Sequence, residues 1–280
     1  MQFKLFKTFW GFSGTPQQAA ELAIAAGFDG LEAPAPHEAN KLEEFAAVLS
    51  DNHLDYIAEI TTAGSYVPER NATPQQHLDD FEAKLIHGKN LNPLFFNVMA
   101  GCDAWPLATQ IDFFKRLVDI ADRHSVICSF ETHRSRSTFN PWVTRDIARA
   151  VPQLKLTCDF SHWAVVMERL PDSEWEVISE LAAHAHHIHG RVGYEQGPQV
   201  PHPAAPEYAA ALLSHQRCWE AIWQSQRQRG YSLSTMTPEF GPDGYLHHLP
   251  FTNVPVADLW QINVWMGTIE RAHFHEVLAR

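Results

Sequence analysis

Short apolar runs alternate along the chain with longer segments in which apolar residues recur every three or four positions. Side chains of a strand point alternately to two faces, whereas a helix returns to the same face after about 3.6 residues, so the two kinds of run separate strands from helices. On this reading strands lie at about 3–9, 30–33, 56–61, 94–99, 126–131, 156–159, 186–189 and 232–239, each followed by a helical segment. Such an alternation implies βαβ units on a parallel sheet, and eight of them are enough to close it. The expected fold is α/β, a single (β/α)8 TIM barrel, with one domain over residues 1–280.

Local chemistry supports several helix starts. Thr15-Pro16, Thr73-Pro74 and Asn140-Pro141 each put a capping side chain before a proline, whose missing N–H is no loss at the first helical position. In the last helix Val256, Leu259, Ile262, Trp265, Met266 and Ile269 recur on one face. The segments that follow strands are rich in Gly, Pro, His and Arg, notably 190–206 and 241–255, and this is the end of a β/α barrel where chemistry is placed. The proline-rich stretch 199–206 reads as a lid or active-site loop.

Composition narrows the function. At 280 residues with 45% apolar content the chain can bury a large core. A formal charge of −12, with no run of Lys and Arg, argues against a surface that follows a nucleic-acid backbone. The N-terminal residues, interrupted by Lys4 and Lys7, form neither a signal peptide nor a membrane span, so no membrane partner and a cytoplasmic location are expected. Cys102, Cys128, Cys158 and Cys218 form no CxxC pair and read as buried free thiols. Histidine is abundant at seventeen, with His184, His186, His187 and His189 in one short segment, which makes a metal site worth seeking.

Four strand ends in succession carry a metal-ligating residue: Glu131 in CSFETHR, Asp159 in LTCDFSHW, His189 in HHIHGR and Glu239 in TMTPEFG. Strands five to eight of a barrel are neighbours, so these ends converge on the axis and offer hard oxygens with one imidazole, a set suited to Mn²⁺, Mg²⁺, Co²⁺ or Zn²⁺. Any one of these carboxylates by itself reads as a helix cap or a solvated loop residue; their common phase carries the inference. His187 shares the parity of His189, and His189 is chosen because it lies nearer the loop. His133, Arg134, Arg136 and Arg191 follow strand ends and suit a substrate carboxylate or phosphate, or else balance the carboxylates. Glu32 and Glu59 read as substrate contacts or as groups paired inside the barrel, the second reading being preferred for Glu59. Trp10, Phe12 and Trp105 are candidates for stacking on a sugar or for the core. Trp219–Trp223 reads as a helix packed on the barrel or as a dimer surface, so a homo-oligomer stays open.

Over essentially its whole length this array resembles the xylose-isomerase-like barrel superfamily, the group that includes ketose epimerases, hydroxypyruvate isomerase, inosose dehydratase and a DNA repair endonuclease. The matching parts are Glu131 closing strand five, Asp159 and His162 as an Asp-x-x-His, His189 on strand seven and Glu239 on strand eight. The resemblance implies one divalent metal ion, Mn²⁺ first among the candidates, held by Glu131, Asp159, His189 and Glu239. It further implies Glu131 and Glu239 as proton-transferring catalytic residues, and His162 and Arg191 as substrate contacts beside His133, Arg134 and Trp10. The expected activity is isomerisation or epimerisation of a small-molecule keto sugar or sugar acid through a metal-stabilised enediolate.

Three other functions compete. The endonuclease needs further zinc ligands, including an Asp-x-His between strands seven and eight, and the chain has no Asp between Gly190 and Pro242. A lyase, decarboxylating or eliminating from a keto sugar acid, would use the same site and is the alternative reading. A barrel that only binds a sugar or a metal would be expected to have lost one of the carboxylates.

Overall fold

The computed structural model describes residues 1–242 and 244–279. Its eight parallel strands close a barrel in chain order: β1 (Gln2–Thr8), β2 (Gly30–Pro34), β3 (Asp55–Thr61), β4 (Phe95–Met99), β5 (Cys128–Glu131), β6 (Leu156–Cys158), β7 (Ala185–His189) and β8 (Leu233–Thr237). Pairing of Phe3 with Ser234 and of Leu5 with Met236 closes the ring. Outside it run α1 (Pro16–Ala25), α2 (Ala39–Asp51), α3 (Pro74–Gly88), α4 (Leu107–Arg123), α5 (Pro141–Ala150), α6 (Phe160–Met167), α7 (Trp175–Leu181), α8 (Ala209–Gln228) and α9 (Leu259–Ala279). The protein is therefore a (β/α)8 TIM barrel, as its alternating pattern predicts. None of the helices among the described residues is long and apolar enough to cross a membrane.

Differences from expectation lie at element ends. β6 stops at Cys158 because Asp159 turns to cap α6, its carboxylate accepting the Ser161 N–H. β8 stops at Thr237 because Pro238 has no N–H to give the ladder. Asp159 and Glu239 thus stand just past their strands, free of the pairing that fixes strand side chains. α9 begins at Leu259 and leaves Val256 exposed; Ile262, Met266, Phe274 and Val277 form its inner face, while Trp265 and Ile269 sit at its edge. The loop reading over 241–255 includes residue 243, and the domain reading over 1–280 includes residue 280, both outside the described residues.

Between strands and helices lies the main apolar layer, with Phe81, Phe114, Phe130, Trp163, Trp219 and Trp223 fully buried. Trp219 and Trp223 are thus part of the core, which removes the dimer-surface reading of that segment. All four cysteines are free and buried. Inside the barrel only the lower end is apolar, where Phe6, Ile57 and Phe95 form a separate cluster. Above it the buried interior becomes polar, with Glu32, Asn97, Ser129, Thr157 and His187. A polar interior layer stabilises a fold only when its groups are hydrogen-bonded, and Thr157 accordingly donates to Ser129 at 2.8 Å.

The predicted caps form. Thr15 and Thr73 close capping boxes with Gln18 and Gln76, and Asn140 Oδ1 accepts the Val143 N–H at 2.9 Å. Replacing Thr73 by Ala is expected to cost about 1 kcal/mol of stability, the usual worth of such a cap. Urea unfolding checks this, and an unchanged midpoint would show the box to be idle.

Candidate metal centre and active site

Glu131 is the last residue of β5, and His189 the last of β7. With Asp159 and Glu239 they form one buried group at the C-terminal mouth of the barrel, each offering a ligand atom, all within 4.8 Å of one another. The sequence brings them together because parallel strands end at one level, so residues distant in the chain meet around a single axis.

The two histidines differ in depth. His187 lies one step lower, its ring nitrogens bonded to the Thr235 and Thr237 hydroxyls at 2.8 and 3.1 Å. His189 Nε2 donates to Glu32 Oε1 at 3.0 Å. Its Nδ1 lies 3.1 Å from Glu239 Oε2 and 3.7 Å from Glu131 Oε2, with no hydrogen-bond partner in the protein. Glu32 is therefore a paired interior group, held also by the Thr237 hydroxyl and 3.4 Å from His187 Nε2. His189, Glu32 and His187 form a second cluster, but both nitrogens of His187 are already engaged.

The cations are committed more fully than the sequence implies. Arg191 is buried; it donates to Asp159 Oδ2 at 2.5 Å and to Ser161 Oγ at 2.9 Å, and its Nη1 lies 3.5 Å from Glu239 Oε2. It also donates to His162 Nε2 at 2.7 Å. Burial above all, with His133 and Arg191 close by, holds His162 well below the usual histidine range, so the ring is neutral. With Nε2 accepting, the proton resides on Nδ1, a buried donor without a partner. His133 is neutral by the same causes, burial first and then Arg191 and Arg136. Its Nδ1 donates to the Arg134 carbonyl, which leaves Nε2 as a lone pair. Arg134 stacks on Tyr245, 5.0 Å from the ring centre. Arg136 is not a substrate group at all: it is fully buried and donates to the carbonyls of Thr62, Ser65, Tyr66 and Gly101, which ties down the loop after β3.

A cavity of about 350 Å³ opens onto this cluster. Glu131 and Glu239 meet it on one side, Trp10, Tyr245 and Arg191 on another, and Glu59, Thr61 and Tyr66 from β3 and its loop. Trp10 and Tyr245 meet edge to face at 4.9 Å, and a Cβ on Gly241 would fall 2.1 Å from the Trp10 ring, so only glycine leaves room for it there. Gln199 fixes that glycine by exchanging two hydrogen bonds with its backbone. The 199–206 stretch is thus docked on the β8 loop at its first residue. Phe12 and Trp105 do not line the cavity: Phe12 lies under the Lys7 ammonium at 4.1 Å, and Trp105 packs on His77 and Phe113. No hydrogen bond or ion pair among the described residues holds Glu59, which lines the cavity, so the pairing expected of it inside the barrel is not present there. Its place on β3 is all the sequence shows, and that does not separate a cavity group from a paired one.

The donor set fits a divalent cation. Three carboxylates and an unpartnered imidazole nitrogen share one small volume, a combination that favours positive charge at its centre. Without a cation, burial pushes the Glu131 carboxyl up to about 8, aided by Glu239 and Asp159 and opposed by His189. Burial works against a charged His189, but Glu239, Glu32 and Glu131 outweigh it and raise the ring well above the usual histidine range. At pH 7 the metal-free site therefore stores a proton on Glu131 and a charge on His189, and a metal must displace both. Binding of Mn²⁺ or Zn²⁺ should release protons, with affinity rising steeply until pH passes about 8 and less steeply above, where Glu131 ionises unaided. Calorimetric titrations in two buffers of different ionisation enthalpy measure this. Heats independent of the buffer would contradict it.

A closed β/α barrel with a buried cluster of three carboxylates and a histidine at its mouth defines a class of small-molecule enzyme scaffold. The family model for xylose isomerase-like TIM barrels matches residues 20–198, and the chain belongs to that family. Among solved structures, the chain is similar to the probable 3-DHS dehydratase AsbF, involved in petrobactin synthesis in Bacillus anthracis, at 17% identity and TM-score 0.61, covering 95% of this chain and 98% of that one. It is similar to a D-psicose 3-epimerase solved in the presence of D-fructose, at 15% identity and TM-score 0.63, covering 97% and 99%. The IolI protein solved with a bound zinc atom follows at 14% identity and TM-score 0.64, covering 97% and 98%. At these identities the likeness is one of fold. No curated protein sequence matches.

Proposed function

We propose that the protein is a divalent-metal-dependent isomerase or epimerase of a keto sugar or sugar acid, with Glu131, Asp159, His189 and Glu239 as metal ligands. The observation that carries this reading is the convergence of those four side chains beside a cavity sized for a small molecule. Sugar epimerases and a dehydratase of the same fold are consistent with it. Mn²⁺ is the proposed ion, and Mg²⁺, Co²⁺ and Zn²⁺ suit the same donors. When bound, a divalent cation supplies Lewis acidity that polarises a ketone and its neighbouring hydroxyl.

The chain's own residues do the rest. Glu131 and Glu239 both line the cavity, and one carboxylate accepts the proton from the carbon next to the ketone while the other returns one. Asn97 Nδ2 donates to Glu131 Oε2 at 3.1 Å and so orients the first. Arg191 lies against the carboxylate and backbone carbonyl of Glu239 and steadies the second. His162 offers its Nδ1 proton to a substrate oxygen, and His133 offers its Nε2 lone pair to a hydroxyl. Trp10 and Tyr245 give an apolar wall for the carbon face of a sugar. Arg134 closes the far side of Tyr245.

The lyase alternative uses the same residues. Loss of CO₂ would require a cation to hold the departing carboxylate, and Arg191 is already engaged by Asp159 and Ser161. Elimination of water makes no such demand and is the form of this alternative that the site favours.

The deciding experiment incubates keto sugars and sugar acids with the metal-loaded protein in D₂O, comparing wild type with Glu239→Gln. Deuterium uptake without CO₂ is expected, reduced on the order of 10²-fold or more in the variant, as for loss of a general acid–base group. CO₂ release would move the protein to the decarboxylases, and full exchange in the variant would remove Glu239 from proton transfer.

A further inference from the structure

The charge inventory of the cavity selects among substrates. Its lining includes three carboxyl groups, Glu59, Glu131 and Glu239, and one cationic side chain, Arg191. Arg191 directs Nε to Ser161, Nη2 to Asp159 and His162, and Nη1 toward Glu239, so it retains little capacity for a ligand. Arg136 serves backbone carbonyls, and Arg134 is stacked on Tyr245 outside the lining. A bound divalent cation would not change the balance. Its two positive charges and that of Arg191 are matched by the three negative charges of Glu131, Asp159 and Glu239.

Glu59 is the exception to this commitment. On β3 the inward positions are Ile57 in the barrel floor, then Glu59 and Thr61 in the cavity wall, while Ala58 and Ile60 join the outer core. Every other interior carboxylate named above has a hydrogen-bonding or ionic partner, and Glu59 has neither. Burial, followed by the negative charges of Glu32 and Glu239, raises its carboxyl well above the usual range. A carboxyl group kept in such a place without a partner costs stability, which is the mark of a group reserved for a ligand.

We infer that the site takes a neutral polyhydroxylated ketone in preference to its carboxylate counterpart, and that Glu59 is the side chain that holds the substrate's hydroxyl groups. The inference rests on the sugar-enzyme reading above and narrows it. Carboxyl oxygens of Glu59 and the lone pair of His133 accept from hydroxyls. A substrate carboxylate would enter a cavity whose one lining cation, Arg191, is already engaged, and would lose its hydration with little compensation.

Equilibrium binding tests this separately from turnover. Ketohexoses and ketopentoses are titrated against their terminally oxidised carboxylates, D-fructose against D-fructuronate among them, with the Mn²⁺-loaded and the metal-free protein. The neutral member of the best-bound pair should bind at least about tenfold more tightly. Glu59→Ala should weaken that binding by about tenfold while metal content and the thermal midpoint are retained, with Glu59→Gln, which keeps a donor and an acceptor, in between. Carboxylates binding as well as the neutral sugars, or Glu59→Ala binding them unchanged, would overturn the inference, as would binding of neither class. Selective binding of neutral sugars with no deuterium exchange would leave the inference standing and remove the isomerase reading instead.

Discussion

Five carboxyl groups, those of Glu32, Glu59, Glu131, Asp159 and Glu239, lie in or at the mouth of one barrel, largely removed from water. Their mutual repulsion is the constraint that the rest of the site answers. Two positive groups sit among them: Arg191, paired with Asp159, and His189, set between Glu32 below and Glu239 and Glu131 above. A buried charge is tolerated only when it is paired and hydrogen-bonded, and among the described residues of this site Glu59, Asn97 Oδ1 and the Nδ1 atoms of His162 and His189 have no hydrogen-bond partner. Glu59 lines the cavity and His189 belongs to the cluster, which is where a ligand and a cation can supply what the protein does not.

The scaffold makes the arrangement affordable. The apolar layer between strands and helices is dense with aromatic residues, so the interior of the barrel need not provide the core and is free to be polar above Phe6, Ile57 and Phe95. Side chains placed by rigid elements then support the reacting groups. Thr132 receives the Asp159 N–H and donates to its carbonyl, at 2.8 and 2.9 Å, which fixes the turn that carries that carboxylate. Arg136 pins the loop after β3 through three carbonyls and ties it to Gly101 after β4, and Gln199 secures the glycine beside Trp10. Groups distant from the chemistry thus determine the shape of the cavity.

Much of this was legible before the structure. Strand number followed from alternation, helix starts from Thr15, Thr73 and Asn140, and the ligand candidates from polar residues that each close an apolar run. What was missed shares one cause. Arg136 is a polar residue whose partners lie in other loops, and Glu59 is one for which the barrel supplies none; sequence spacing carries no information about either. The strand assignment left Glu59 open between a substrate contact and a group paired inside the barrel, and only its surroundings in the folded barrel bear on that choice. Parity likewise left His187 and His189 equal, and depth along the axis distinguished them.

The sequence by itself thus determined the fold and nominated the residues of the candidate metal set, because both rest on periodicity and on which residue stands at the end of a strand. Tertiary structure alone decided which groups are already spent. Arg191 is held by Asp159, Arg136 by backbone carbonyls and Glu32 by His189, while Glu59 is left facing the cavity. The reason is physical: a side chain's availability depends on distances of a few ångströms to groups far away in the chain, and those distances exist only once the barrel has closed.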